Sequence, residues 1–300
     1  MTSSPDYVFT RDSLDNNRIN LQHYLVVQLF GYRIHPSIPT TNPQTCELPM
    51  LAQAQGKPIW LTDLAGELPK SVHLDAMDIS FAATPLPEML PSNMSLHQWD
   101  VKTDVPGHLV GCYDVIHLRF FAFVIQEHEL DAILDRLLKL LKPGGYIQWT
   151  DIDISSLRLE KIRPDIQADA QVKLMDQFKG DDSRLNSAWV PTLAKRLANK
   201  GLTDVITDKR EAPRHLALAL HEVGLLATEA AAEAIKQTLD QAAKETRDGS
   251  YLAFTRYTVV ARKGGGRHAL VSERTGGGRV IELLVLFVSA YLQNVMLGST

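Results

Sequence analysis

Residues 129–154 run ELDAILDRLLKLLKPGGYIQWTDIDI, and they leave few folds open. Leu130, Ile133, Leu134, Leu137, Leu138 and Leu141 share one apolar stripe at helical spacing. KPGG (142–145) then stops the helix, because glycine supplies the left-handed cap and proline stands beside it. YIQWTDIDI (146–154) follows at once with the apolar, β-branched and aromatic content of a buried strand. The same punctuation recurs along the chain. SVHLDAMDIS (71–80) and NMSLHQWD (93–100) are short strands that end in acids, and YDVIHLRFFAFVI (113–125) contains a third. LTDVITDKR (202–210) and YTVVARK (257–263) are late strands, with an alanine-rich helical stretch between them at 214–247. Residues 11–32 form a helix through Leu14, Ile19, Leu21, Leu25, Val26 and Leu29, ending at Gly31. The proline-rich HPSIPTTNPQ (35–44) links it to the rest. Strands alternating with helices predict an α/β fold with a mostly parallel sheet.

Composition narrows the function classes. At 45% hydrophobic and 22% charged residues, the chain has the balance of an ordinary globular protein. A net charge of −4 argues against a nucleic-acid-binding surface. Cys46 and Cys112 make neither a disulfide framework nor a metal knuckle, so a reducing, cytoplasmic setting is expected. The polar first twenty residues lack the apolar core of a signal peptide. GGGRHALVSERTGGG (264–278) is a flexible linker by composition. It leads into RVIELLVLFVSAYLQNVML (279–297), which is nearly long enough for a membrane span but carries Glu282, Gln293 and Asn294. A buried or partner-binding helix is the expectation there. Three parts follow: a helical cap and linker at 1–45, a main domain at 46–263, and the linker with its apolar tail at 264–300.

Ligands of an open parallel sheet sit at the carboxyl ends of its strands. The residues to weigh are therefore the 52–58 turn, Asp78, Asp100, the stretch Asp114–Arg119, and Gln148–Asp153. Asp78 lies 22 positions after Gly56 and ends a strand. An acid so placed accepts hydrogen bonds from both ribose hydroxyls; equally, it caps the turn that follows. Asp100 follows Trp99, and a carboxylate beside an aromatic ring suits an adenine. No His/Cys/Asp cluster has metal-ligand spacing, so no metal is expected. Neither a nucleophile elbow nor a lysine-bearing phosphate loop is present.

NNRINLQHYL (16–25), RIHPSIP (33–39), IWLTDLAGELP (59–69), MDIS (77–80), LPSNMSLHQWDV (90–101), YDVIHLR (113–119), LLKPGGYIQWTDID (140–153) and RLNSAW (184–189) keep their order and spacing over 1–263. In that combination the chain resembles the LaeA-like class I methyltransferases of fungal secondary-metabolite clusters. The resemblance implies a doubly wound, Rossmann-like, seven-stranded sheet under an N-terminal helical cap. It also implies S-adenosyl-L-methionine as cofactor and a small-molecule substrate; from the net charge no nucleic-acid partner is expected, and from the polar residues of the tail no membrane partner. The family carries an Asp-x-Gly-x-Gly-x-Gly run immediately before IWL. Here that run falls on Ala52, Gln53, Ala54, Gln55, Gly56, Lys57 and Pro58, so the acid and two of three glycines are missing. Two β-carbons and a proline ring then fill space that the backbone needs to approach the cofactor. Binding at Ala54 and Gly56 is expected to be weak or lost. Decay of the turn and a misplaced exon boundary near 45–58 would both leave this sequence.

The resemblance places Arg18, Asn20, Gln22 and His23 on the cap over the cofactor, with Arg18 able to meet a carboxylate bidentately. Asp78, Asp100 and Asp114 complete the cofactor set. His117 and Arg119 alternate on one strand face and are the catalytic candidates. His117 is a proton acceptor or, more simply, a histidine packed under the cap. Asp151 stands where the family has Glu. Phe120, Phe121, Trp149 and Trp189 are expected to wall an apolar substrate pocket beneath the cap. Three functions fit: methyl transfer to O or N of a secondary metabolite; an isomerase, cyclase or accessory factor that has lost methyl transfer; and a LaeA-like regulator.

Overall fold

The computed structural model describes residues 13–40, 59–79, 81, 86–122, 124–178, 188–211, 229–265 and 282–287. Of the sequence expectations, the 52–58 turn with Ala54 and Gly56, and the RLNS part of RLNSAW, lie outside them. The alternating pattern folds as expected. The strands are β1 (His73–Asp78), β2 (Met94–Gln98), β3 (Tyr113–Arg119), β4 (Leu141–Lys161), β5 (Leu202–Glu211), β6 (Ser250–Lys263) and β7 (Glu282–Phe287). They form one seven-stranded sheet in the order β2-β1-β7-β3-β4-β6-β5. Every pairing from β2 through β4 is parallel, whereas β6 runs antiparallel to both β4 and β5.

The helices are α1 (Ser13–Phe30), α2 (Ile59–Glu67), α3 (Leu130–Leu140), α4 (Asp169–Phe178), α5 (Leu193–Asn199) and α6 (Glu229–Asp248). In α3, Leu130, Ile133, Leu134, Leu137 and Leu140 are fully buried. Each such side chain contributes roughly 1.5–3 kcal/mol of burial. The helix stops at Leu140, not at the glycines. Leu141 is already extended and pairs with Tyr113, and the left-handed Gly144 sits in a register shift inside β4. Gly145 has no room for a β-carbon, which would lie 2.9 Å from the Asp114 carbonyl oxygen. The sheet is covered on both faces. Trp60 of α2 stacks on His117 on one face. Trp149 meets Trp189, just before α5, on the other.

One element departs from expectation. Within the apolar run expected as a helix, Glu282–Phe287 is a strand, parallel to β1 on one side and β3 on the other. A strand leading into α2 would lie beside β1, since consecutive parallel strands are joined by short right-handed crossovers. That position is filled from the far end of the sequence. A free slot between two parallel edges outweighs the local ambiguity of an apolar run without clear period.

Candidate functional site

Strand alternation and register put His117 and Arg119 of β3, Gln148 and Thr150 of β4, and Arg256 and Thr258 of β6 on one face of the sheet. All six are buried. Six polar side chains on one buried face need partners, and α1 with its following loop supplies several. The Gln148 amide accepts from the His35 backbone N–H (2.8 Å) and donates to the Arg33 carbonyl (3.0 Å), pinning that loop to the sheet. Tyr32 donates to Asp208 Oδ2 at 2.7 Å. The Thr150 and Thr258 hydroxyls meet at 2.9 Å.

His23 of α1 is central. Its Nδ1 lies 3.2 Å from Arg119 Nη1 and its Nε2 3.2 Å from Asp63 Oδ2. A guanidinium only donates, so Nδ1 accepts and the proton sits on Nε2, donated to Asp63. Burial and the Arg119 charge push the His23 pKa down to about 4, in agreement with this neutral tautomer. Arg33 closes the arrangement through Asp63 (3.0 Å) and Glu67. Beside it, Arg256 donates to Gln22 Oε1 at 2.7 Å. The indole of Trp60 stacks on His117 at 4.2 Å between ring centres, only 2° from parallel, with the Arg119 guanidinium 5.6 Å from its ring centre. Burial, then the Arg119 charge, lowers the His117 pKa, so its imidazole is neutral.

The strand end at Arg119 is strained. Phe120 has φ of 63°, a left-handed conformation that bulky residues avoid, and the Arg256 guanidinium lies 5.7 Å from its ring. Asp151 holds the turn that follows. Its carboxylate accepts from the backbone N–H groups of Phe121 (2.7 Å), Ala122 (3.1 Å) and Ile152 (3.0 Å), and from Trp149 Nε1 (3.1 Å). Burial raises its pKa to about 6.

The sequence candidates divide. Gln22, His23, His117 and Arg119 come together under the cap. Asn20 is half-buried on the same helix, and Arg18 belongs to α1 by its backbone. Asp78 ends β1, buried, with its carbonyl accepting from Trp99 N–H at 3.0 Å, so the Asp78 and Trp99–Asp100 strand ends adjoin. Asp100 lies two residues beyond β2, with Oδ1 accepting from Lys102 N–H at 2.8 Å in a turn. Asp114 stands apart, at the amino end of β3, where it pairs with Lys142 at 2.7 Å. Asp153 shares the Asp151 face and accepts from Ser155 Oγ at 2.5 Å. The expected apolar wall is a correction. Phe121, Trp149 and Trp189 pack edge-to-face on the opposite side of the sheet, and Trp189 Nε1 donates to the Ile125 carbonyl. Only Phe120 stays near the cap, because the left-handed turn after Arg119 sends Phe121 to the other face. Trp60, Asp63 and Arg256 were missed. The signal for Arg256 is a lone arginine inside FTRYTVV, a strand otherwise built for burial.

No family model matches the chain. Curated relatives do. An N-methyltransferase of Claviceps purpurea, tcpN, is 32% identical over 141 residues, covering 46% of this chain and 49% of its own length. The Aspergillus fumigatus N-methyltransferase gliN is 28% identical over 166 residues, covering 54% and 57%. The secondary metabolism regulator laeA of Coprinopsis cinerea is 22% identical, covering 49% and 36%. The chain thus spans about half the length of the curated relatives it matches. Among solved structures, a phosphoethanolamine N-methyltransferase of Haemonchus contortus is similar at 13% identity and a TM-score of 0.44, covering 86% of this chain and 60% of that one. A SAM-dependent methyltransferase of Archaeoglobus fulgidus is similar at 14% and 0.42, covering 84% and 96%. The resemblance to fungal secondary-metabolism methyltransferases is borne out by these sequence relatives.

Proposed function

We propose that the chain is an S-adenosyl-L-methionine-dependent methyltransferase of fungal secondary metabolism, acting on a nitrogen of a small molecule. The observation that carries this reading is the polar layer sealed between α1 and the carboxyl half of the sheet. Its members are His23, Arg119, Gln22 and Arg256, with Asp78 buried at the end of β1, across β7 from β3. The relatives named N-methyltransferases favour nitrogen over oxygen as acceptor.

Two buried guanidinium nitrogens without an acceptor, Arg119 Nε and Arg256 Nη1, fit a ligand that carries an anionic group. Asp78 would hold the ribose, and the α1 residues would close over the remainder. The cofactor supplies an electrophilic methyl group; the chain's own residues bind, orient and exclude water. Arg119 serves as a binding residue at the strand end. His117, neutral and flat against Trp60, is a positioning residue that fixes the indole beneath Arg119. The cytoplasm is the proposed compartment; among the described residues no helix is long and apolar enough to cross a membrane.

Isothermal titration with S-adenosylmethionine, followed by transfer of labelled methyl to a panel of small amines, tests this reading. Saturable binding, weak because the 52–58 turn lacks the acid and two of its three glycines, and label in an amine product are expected. Absence of both would remove the methyltransferase reading.

A further inference from the structure

The charge of the layer under α1 is unbalanced. Arg119 is 1% exposed and Arg256 6%. Among the described residues, no carboxylate forms an ion pair with either. Their partners are neutral: His23 Nδ1 at 3.2 Å for Arg119, Gln22 Oε1 at 2.7 Å for Arg256, and the rings of Trp60, Phe120 and Phe254. Arg119 Nε and Arg256 Nη1 have no hydrogen-bond acceptor. The acids nearby are committed elsewhere. Asp63 is held by His23 and Arg33; Asp151 attracts the Arg256 charge but forms no ion pair with it, its carboxylate being taken up by four N–H donors.

Register places the two guanidiniums close together. Arg119 is opposite Thr150, Thr150 is opposite Thr258, and Arg256 is opposite Ile152, two residues nearer the carboxyl end of β4. Burial, and for Arg119 also the Arg256 charge, lowers their pKa values to about 9 and about 10, which leaves both charged at neutral pH. A fold gains nothing from two unpaired, mutually repelling buried cations. A planar, bidentate anion would satisfy both forks at once.

We propose that Arg119 and Arg256 together form a binding site for a carboxylate, which takes the place of the Gln22 amide on Arg256. Resting on the methyltransferase reading, the carboxylate has two sources: the amino-acid part of the cofactor, or an acid group on the small-molecule acceptor.

The experiment compares the full chain with Arg256→Met by titration and thermal shift. The probes are S-adenosylhomocysteine, 5′-methylthioadenosine (the same thionucleoside without the amino-acid part) and benzoate. If the source is the cofactor, the wild type binds S-adenosylhomocysteine at least about tenfold more tightly than methylthioadenosine. Arg256→Met then abolishes that difference and leaves methylthioadenosine unchanged. If the source is the acceptor, S-adenosylhomocysteine binding is insensitive to the substitution, while benzoate raises the wild-type Tm and not the variant's. A benzoate shift lost in the variant, with no nucleoside binding at all, would keep the carboxylate site and discard the methyltransferase reading. Identical responses of wild type and variant to all three probes would overturn the proposal. Should Arg256→Met fail to fold, Arg256→Lys keeps the charge without the fork. It should weaken the carboxylate response at least about threefold, and an unchanged response would overturn the proposal equally.

Discussion

Arg256 interrupts a strand whose neighbours Phe254, Val259, Val260 and Ala261 are all buried, and without a ligand its charge is a net cost. Arg256→Met should therefore raise the ligand-free Tm, on the order of 1 kcal/mol or a few degrees by calorimetry. A fall of that size would mean that the Gln22 contact and the aromatic faces already compensate the charge. His23 gives a pH signature. Its folded pKa, about 4, lies below the ordinary 6.5, so the unfolded chain binds the extra proton between those values. Its contribution to stability is complete above pH 6.5 and disappears as pH falls toward 4. Asp151, raised to about 6, acts in the opposite sense over much of that window, so the whole-protein curve conceals both. The stability difference between wild type and His23→Gln isolates the histidine: denaturant titrations should show it shifting against the wild type from pH 7 to 4. A pH-independent difference would contradict the neutral tautomer. Sequence identified His23, Gln22 and Arg119 because they stand in motifs. Asp63 also stands in a motif, IWLTDLAGELP, and Arg256 in none; the meaning of both depends on which strand and helix faces meet.

Helices and strands were legible where pattern and packing agree. The α3 stripe and the β4 run were read correctly in kind, though the helix end moved from the glycines to Leu140 once Leu141 paired with Tyr113. The attachment of the loop after α1 was not legible, since at residues 33–35 it rests on one polar residue in a buried strand. The Gln148 side chain satisfies the His35 N–H and the Arg33 carbonyl together. Gln148→Leu would leave both backbone groups without their partner, at about 1–3 kcal/mol each. Hydrogen exchange at residues 33–38 should quicken by at least tenfold in that variant, with β4 itself little changed, because about 1.4 kcal/mol corresponds to that factor. Uniform acceleration across the sheet would instead make Gln148 a residue of the general core.

At the scale of the whole molecule, the middle of the sheet holds the last strand of the described chain. β7 lies between β1 and β3, its Val285 paired with Ala76 on one side and His117 on the other, and its last residue, Phe287, opposite Arg119. The floor of the candidate site is therefore completed by a segment that follows every other strand in sequence. Nothing local could reveal this. A 19-residue apolar run without a clear period favours a helix until a slot with two open parallel edges competes for it. Such long-range pairing carries a loop-closure cost that slows folding. A strand flanked on both sides uses its N–H groups in the ladders, so proline is not tolerated there. Val285→Pro should abolish the cooperative unfolding transition and, with it, any binding of S-adenosylhomocysteine. Gly265→Pro, in the exposed segment after β6, should leave the Tm within about 2 °C, as a surface change does. A Val285→Pro protein that unfolds cooperatively at the wild-type temperature would show that β1 and β3 hold the sheet without β7, and that the centre of the site does not depend on it.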